Sequence, residues 1–453
     1  MGKTVIVDGF RTPFCKAGTH FKNIEPYFLA AMAVKEMTQR MNGWGMKPGE
    51  VDRVVGSNVA TPINAPNIAR VAATMGGLPD SVVADGINKN CGSGVAAINY
   101  GRMYIESGQA DTVMVVGVES MSKIVLAYDE RVKEIFTLLS MSRTPSEKVR
   151  NLFRLIPKLI RFQKYPPQSG LVLGLTDPIC NQIMGKTAEN IARAFNISRQ
   201  EQDAFACRSN NLAEQADKAG FFKKEVWPVF AASKFIKHDN GIRNSQTVEN
   251  LARLKPVFDK KYGTVTAGNS SQVTDGAACM LLMAEEKAKA FGLPILGRVG
   301  VYADAGYKPE FMGLSPVLAI AKLLKATGLS IKDFPVIELN EAFASVAVAC
   351  MMTMDSDALM KKWFGDYGFT KALGRIENDQ INLNGGAIAL GHPPGVSGLR
   401  LAITALCELA RKSEGRPALI SACVGGGQGV AMILERFDSA HRKQSDSAHQ
   451  RRG

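Results

Sequence analysis

Two stretches some three hundred residues apart follow the same local plan, and that repetition constrains the fold more than any other feature of the chain. In the first, Cys91-Gly-Ser-Gly94 leads into a helical segment, Val95 to Ser107, and then an apolar strand, Thr112 to Gly117. In the second, Pro394-Gly-Val-Ser-Gly398 leads into a helical segment, Leu399 to Arg411, and the strand Ala418 to Cys423. Upstream of each, a short strand starts after an acidic turn, in Asp52-Arg-Val-Val-Gly and in Asp333-Phe-Pro-Val-Ile-Glu-Leu. A unit that recurs in this way predicts two related halves. Around the first unit, short β-branched runs (Thr4 to Val7, Val51 to Gly56) alternate with helical patterns near Phe28 to Arg40 and Ile68 to Met75. That alternation is the signature of α/β architecture.

Between the halves the composition changes. Residues 121 to about 262 are rich in charge and helical spacing, including Thr187 to Phe195 and Gln200 to Ala219, and predict an inserted, mostly helical lobe. Gly263 to Ser271 returns to strand and turn composition. The expected division is an N-terminal half over 1–120, the inserted lobe over 121–262, a return segment over 263–290, a C-terminal half over 291–437, and a basic, disordered tail over 438–453. The longest apolar runs, such as Ala277 to Ala284, fall short of the roughly 20 residues that span a bilayer. The N-terminus enters a strand-like run at once, which predicts a cytoplasmic protein without a leader. Eight cysteines lacking any Cys-x-x-Cys pair suggest neither a disulfide framework nor a metal site.

Three segments carry chemistry. Asn88-Lys-Asn-Cys91-Gly-Ser-Gly94 sets a cysteine between a strand-like segment and the start of a helix. Its glycines permit a tight turn and close substrate approach, and a helix N-terminus stabilises thiolate. Taken alone, this motif is equally a buried structural cysteine in a glycine turn. Asn384-Gly-Gly-Ala-Ile-Ala-Leu-Gly-His392-Pro-Pro-Gly-Val-Ser-Gly398 places one of the chain's five histidines in a glycine-dense loop at the head of a helix, where backbone can wrap a ligand. Ser421-Ala-Cys423-Val-Gly-Gly-Gly-Gln-Gly429 ends the second half's strand with another cysteine that opens a glycine loop. Two cysteines and a histidine at such positions make a Cys/His nucleophile system with a second proton carrier.

These segments, with Asn340-Glu-Ala-Phe-Ala344, Met184-Gly-Lys-Thr-Ala-Glu-Asn190 and Gly263 to Ala278, resemble the motif set of the thiolase family, in the family's order, from about residue 4 to residue 435. The resemblance implies a layered α-β-α-β-α core built from two repeated halves, with a loop domain inserted in the first. It implies an acyl-CoA C-acyltransferase that cleaves 3-ketoacyl-CoA with coenzyme A, or runs the reverse condensation. Cys91 then takes the acyl group as a thioester, His392 activates it, and Cys423 exchanges the proton of the enolate. Asn340, through a bound water, and His392 resemble one oxyanion hole; the N–H groups of Cys91 and Gly425 resemble the other. Ser271 and Met184 match positions lining the coenzyme A and acyl pocket. Coenzyme A is then a substrate, with no permanently bound cofactor and no metal, and the chain a homodimer or homotetramer.

Ile183 departs from the histidine that short-chain thiolases carry before this methionine, which makes a longer 3-ketoacyl chain the expectation. Acetoacetyl-CoA synthesis by an acetyl-CoA acetyltransferase is the near alternative. Other condensing members of the superfamily use Cys/His/His or Cys/Glu/His sets, against which Cys423 and Asn340 argue. A non-catalytic acyl-CoA or lipid carrier is opposed by the intact Cys91, His392 and Cys423.

The formal charge of +13 is unevenly spread: residues 121–170 hold ten Lys/Arg against four Asp/Glu, and 436–453 hold five against two. The phosphates of coenzyme A are one acidic partner that fits; nucleic acid is not expected, for want of interleaved aromatics or a known module. Thr144-Pro-Ser-Glu147 has the form of a capping box with proline at the first helical position, so a helix should start there. At helical spacing Val149, Leu152, Phe153, Ile156, Leu159 and Ile160 share one face, while Arg150, Arg154, Lys158, Arg161 and Lys164 gather opposite, with Pro157 inside. Segment 121–170 therefore docks on an anionic membrane or a partner subunit, or else packs its apolar face on the catalytic core. The lobe also resembles the longer insertion of thiolase subunits from fatty-acid oxidation complexes, which implies a hydratase/dehydrogenase subunit as that partner.

Overall fold

The computed structural model describes residues 3–160, 167–412 and 415–437, and the expected basic tail, with Arg161 and Lys164, lies outside them. The long strands in chain order are β1 (Thr4–Arg11), β2 (Arg53–Ser57), β3 (Val83–Ile87), β4 (Thr112–Glu119), β5 (Thr274–Ala284), β6 (Gly297–Gly306), β7 (Val336–Leu339), β8 (Ala418–Val424) and β9 (Gln428–Arg436). The helices used below are α1 (Pro26–Gly43), α2 (Ile68–Met75), α3 (Ser93–Glu106), α4 (Glu130–Met141), α5 (Pro145–Ile160), α6 (Met184–Ala194), α7 (Arg199–Lys218), α8 (Ser315–Thr327), α9 (Ala344–Met354) and α10 (Pro394–Arg411).

The duplication is visible in the pairing. The sheet runs β7-β8-β9-β6-β1-β5-β4-β2-β3. Outward from the antiparallel β6/β1 contact, each side meets two antiparallel pairings and then a parallel one: β6-β9-β8-β7 and β1-β5-β4-β2. Even the parallel β2/β3 pair has its counterpart, a single parallel bridge between Ile337 and Ile381.

Burial explains the layering. β4 is buried at all eight positions, so it reads as a continuous apolar run with both faces covered. Val113 and Val115 point into a central core with α3 and α10, whereas Met114, Val116 and Val118 point into an outer core with α1 and α2. The second half does the same, with Val336, Ala418 and Ile420 turned to the central core and Ile337, Leu339 and Leu419 to α8 and α9. The result is α-β-α-β-α, with α3 and α10 in the middle. These two helices meet backbone to backbone, since a Cβ on Gly94 would lie 2.9 Å from Gly398 Cα and one on Gly398 would lie 2.3 Å from Val95 N. The repeated Ser-Gly of the sequence is thus the crossing point of the two halves.

The segment between β4 and β5 adds no strand to this sheet. It holds α4 to α7 and short two-stranded ribbons, among them Leu126–Ala127 with Gln168–Ser169 and Thr176–Asp177 with Gln182–Ile183. Gly263 to Ser271 forms bridges at Thr266 and Ser270 in place of a strand. α5 begins at Pro145 as the capping box requires: Glu147 accepts from the N–H of Thr144, and Thr144 Oγ1 accepts from that of Glu147, both at 3.3 Å. Its apolar face does not pack on the catalytic core. Leu155 joins Val132 and Ile135 of α4, while Val149, Leu152, Phe153, Ile156 and Ile160 stay exposed. Among the described residues no helix is long and apolar enough to cross a membrane.

Candidate active site

Cys91 sits, half-buried, at the foot of α3 on a turn that Asn90 makes possible. Asn90 has φ 46°, a left-handed conformation that few residues other than glycine and asparagine tolerate. Ser93 staples the turn by accepting from Lys89 N–H and donating to Asn90 C=O, both at 2.7 Å. Two N–H groups face the sulfur, those of Cys91 itself and Gly425. Even so, burial outweighs them and the nearby Glu119 adds to it, pushing the thiol up to about 11. The helix N-terminus therefore does not leave a resting thiolate here, contrary to the expectation from position alone.

His392 follows Gly391, whose φ of 105° excludes a side chain, and its N–H donates to Gln272 C=O at 3.0 Å. Its Nδ1 lies 2.5 Å from Ser397 Oγ, and the Ser397 hydroxyl donates to Pro393 C=O at 3.1 Å. A hydroxyl has one hydrogen, so Ser397 must accept from Nδ1–H. With the proton on Nδ1, the Nε2 lone pair accepts from Asn340 Nδ2 at 3.5 Å. Burial, with Arg400 nearby, pulls the imidazole down to about 4.

Asn340 and Cys423 come from neighbouring strand ends, β7 and β8. Asn340 N–H donates to Ser421 C=O at 2.9 Å, and its buried Oδ1 has no protein partner. Glu341 holds that loop by accepting from Ser209 Oγ (2.6 Å), Asn382 Nδ2 (2.8 Å) and Ile388 N–H (3.3 Å). Cys423 is buried, and its thiol is raised well above the ordinary range by burial and by Cys91 and Cys350 beside it. The structure thus brings Cys91 together with Gly425 and Cys423, and His392 together with Asn340. Ser271 lies on the strip that stitches two of these loops together, its N–H donating to Ala342 C=O at 2.9 Å. Met184, at the start of α6, is near enough to Gly425 that a Cβ there would lie 3.3 Å from its Sδ.

A cavity of about 1040 Å³ opens beside Cys91 and reaches Met184 and Gly425. Its walls are mostly apolar, with Ile63, Ile124, Val125, Leu171, Leu173 and Ile179, and much of it is built by the inserted segment. Ser271 is not among its lining residues. Glu119 closes one side with its oxygens occupied by Asn58 Nδ2 and the N–H groups of Val59, Ala60 and Gly395, at 2.9 to 3.1 Å.

The profile described as "Thiolase, N-terminal domain" matches residues 4–286, and "Thiolase, C-terminal domain" matches residues 293–436. The chain belongs to the thiolase family. A "Probable acetyl-CoA acyltransferase" of Staphylococcus epidermidis is 36% identical over 97% of this chain and 100% of its own. A "3-ketoacyl-CoA thiolase" of Pseudoalteromonas translucida is 36% identical over 96% and 97%. Among solved structures, human mitochondrial 3-ketoacyl-CoA thiolase in complex with CoA superposes with a TM-score of 0.81 at 32% identity, covering 96% of this chain and 98% of that one. The protein is an acyl-CoA C-acyltransferase of the thiolase type, with the duplicated α-β-α-β-α fold and with coenzyme A and acyl-CoA as substrates.

Sequence reasoning missed four residues that build this thiolase's site. Ser397 stood inside the quoted histidine motif, and a hydroxyl one turn into the helix after His392 was the available signal. Asn90 preceded the cysteine and is the residue type that accepts a positive φ. Glu119 gave no local signal, because its partners are distant in sequence, and Asp177 offered only its turn at Ile179 and Cys180, not its reach to Gly426.

Proposed function

We propose that this thiolase cleaves 3-ketoacyl-CoA through a thioester on Cys91, with His392 as its base and Cys423 as the second proton carrier. What supports the reading is Cys423 beside Cys91, together with a histidine whose Nδ1–H bond to Ser397 leaves Nε2 as an acceptor next to Asn340. In thiolysis, the Cys91 sulfur attacks the 3-keto carbon while its proton passes to His392 Nε2. The oxyanion is held by the N–H groups of Cys91 and Gly425. The C2–C3 bond then breaks, and its electron pair becomes the enolate of acetyl-CoA, whose oxygen faces Asn340 and the newly formed Nε2–H of His392. Cys423 protonates that enolate. The Cys423 thiolate next takes the proton of incoming coenzyme A, whose sulfur attacks the thioester, and Cys91 leaves with the proton held by His392. Met184 binds substrate at the cavity wall, while Ser271, which does not line the cavity, holds the loop at Ala342. Mixing Cys91→Ser with labelled acyl-CoA tests this: no covalent acyl group is expected, whereas Cys423→Ser still becomes acylated without completing cleavage. Label retained on Cys91→Ser overturns the assignment.

The cavity favours a longer acyl tail over acetoacetyl-CoA. Its walls beside Cys91 are mostly apolar, with Ile63, Leu171, Leu173 and Ile179, which suits an alkyl tail beyond the thioester.

The same reading extends to partners and domains. The inserted lobe over 121–262 supplies the tail cavity, and the halves over 1–120 with 263–290 and over 291–437 supply the catalytic loops. A second copy pairs along β3, an edge strand with exposed Val83, beside exposed Tyr100 and Met103 of α3. The exposed apolar face of α5, flanked by exposed Arg150 and Arg154, suits an anionic lipid surface; capture of a hydratase/dehydrogenase subunit in place of vesicles would reassign it. All eight cysteines are unpaired, as in a reducing compartment such as the cytoplasm.

A further inference from the structure

Asp177 is a buried carboxylate in the inserted segment, 3% exposed, and no charged partner is needed to explain where it points. One oxygen, Oδ1, accepts from Ile179 N–H at 2.7 Å and Cys180 N–H at 3.4 Å, closing the turn that carries Ile179 into the cavity wall. The other, Oδ2, accepts from Gly426 N–H at 3.0 Å, across 249 residues of chain. The carbonyl of that same peptide unit, Gly425 C=O, accepts from Asn90 Nδ2 at 3.0 Å. One peptide plane is therefore gripped at both ends, by the residue preceding Cys91 and by Asp177.

That grip matters because of what surrounds it. Gly426 and Gly427 have φ of 89° and 77°, so the loop has no side chains of its own to hold it and little steric preference for one orientation. The next N–H back along the chain, that of Gly425, faces the Cys91 sulfur. That N–H lies in the adjoining 424–425 peptide unit, hinged to the gripped plane at Gly425 Cα, so holding the 425–426 plane fixes the hinge and limits how far the donor swings from the position where oxyanion charge develops; donors there act only when held in place beforehand. We infer that Asp177 is a positioning residue for acyl transfer: it fixes the Gly425 oxyanion donor and couples it to the cavity turn at Ile179, so that a tail seated there steadies the donor that stabilises its own reaction. This rests on the reading of Cys91 and Gly425 given above.

The test is Asp177→Asn, an isosteric change that leaves one acceptor for N–H groups that now have two. Misplacement of an oxyanion donor should lower kcat for thiolysis by about 10- to 100-fold, with KM for the ketoacyl-CoA within about threefold. The loss should be larger for a long acyl chain than for acetoacetyl-CoA. Alkylation of Cys91 by iodoacetamide needs no oxyanion hole and should fall only by as much as losing the Gly425 N–H from the sulfur raises the thiol, clearly less than the fall in kcat, and Asp177→Glu should recover part of the lost kcat. Equal kcat in Asp177→Asn and wild type overturns the inference. So does a fall in kcat matched by the same fall in alkylation, which would make Asp177 a support of Cys91 itself. A wild-type enzyme that forms no acyl adduct on Cys91 with any acyl-CoA would instead remove the underlying reading of the nucleophile.

Discussion

Cys91 and His392 should rest as a neutral thiol and a neutral imidazole, so that the proton crosses only as the substrate is attacked. Burial holds the thiol at about 11 and the imidazole at about 4, so the two values lie about seven pH units apart in the direction that opposes ion-pair formation. Transferring the proton before substrate binds is then uphill by about 9 to 10 kcal/mol. Attraction between the resulting charges would return at most about 4 kcal/mol, the figure for a separation of about 4 Å at an effective dielectric near 20. At least about 5 kcal/mol remains, an ion-pair population on the order of one in several thousand or less. The assay is the ultraviolet absorbance of thiolate, recorded as wild type minus Cys91→Ser across pH. No difference is expected from about pH 5 to 8, with a rise only above about pH 10. An ordinary cysteine would be about a quarter ionised at pH 8. A full thiolate signal already present near pH 5 would refute the reasoning, because it would mean that local N–H groups and the imidazolium outweigh burial.

Other consequences follow from the same geometry. His392 is held neutral in the folded chain but protonates near 6.5 when unfolded, so its contribution to stability is present above about pH 6.5 and is lost as pH falls towards 4; relative to His392→Gln, wild type should lose about 2 to 3 kcal/mol between pH 7 and 4.5 in denaturant titrations. Gly398→Ala places its Cβ against backbone of α3, which cannot give way as a side chain can, and should cost about 1 to 3 kcal/mol or more, whereas Gly43→Ala, with open space around it, should be near neutral in thermal melts. With tails of increasing length, kcat/KM should rise about three- to fourfold per methylene until the cavity is filled; a flat series from acetoacetyl-CoA upward would refute the tail site. Arg150→Glu with Arg154→Glu should weaken binding to anionic vesicles and leave neutral vesicles unaffected in co-sedimentation; unchanged binding would refute the lipid surface.

The parts of this protein that were legible in its sequence are those whose cause is local or periodic. α2 spans Ile68–Met75 as its apolar spacing required, and α5 starts where Thr144 and Glu147 cap it. The duplication was legible because the same backbone approach is demanded twice, at Gly94 and at Gly398. What the sequence did not carry was the destination of each surface. α5 has an apolar stripe of the kind that normally finds a core, yet among its described apolar side chains only Leu155, with its neighbours on α4, is covered, because the hairpin is rooted at the Leu126–Ala127 and Gln168–Ser169 ribbon, at the rim of the cavity. Periodicity reports that a face is apolar, not what stands opposite it.

The duplication also accounts for there being one site in the chain and not two. Each half places a functional residue just before its central helix, Cys91 before α3 and His392 before α10, and the two helices cross at Gly94 and Gly398 so that their N-termini converge. Divergence between the halves then separates the roles. The first half keeps a cysteine on a left-handed turn with N–H groups at its sulfur, while the second keeps a histidine tied to Ser397 and adds Cys423 at the end of β8. A pseudo-symmetric crossing brings unlike groups together without either half having to build a whole site. The glycine loop after Cys423 has no side chains of its own between Gly425 and Gly427, so Asn90 of the first half holds one end of its 425–426 peptide and a carboxylate from the inserted segment, Asp177, holds the other, which is where the third contribution enters.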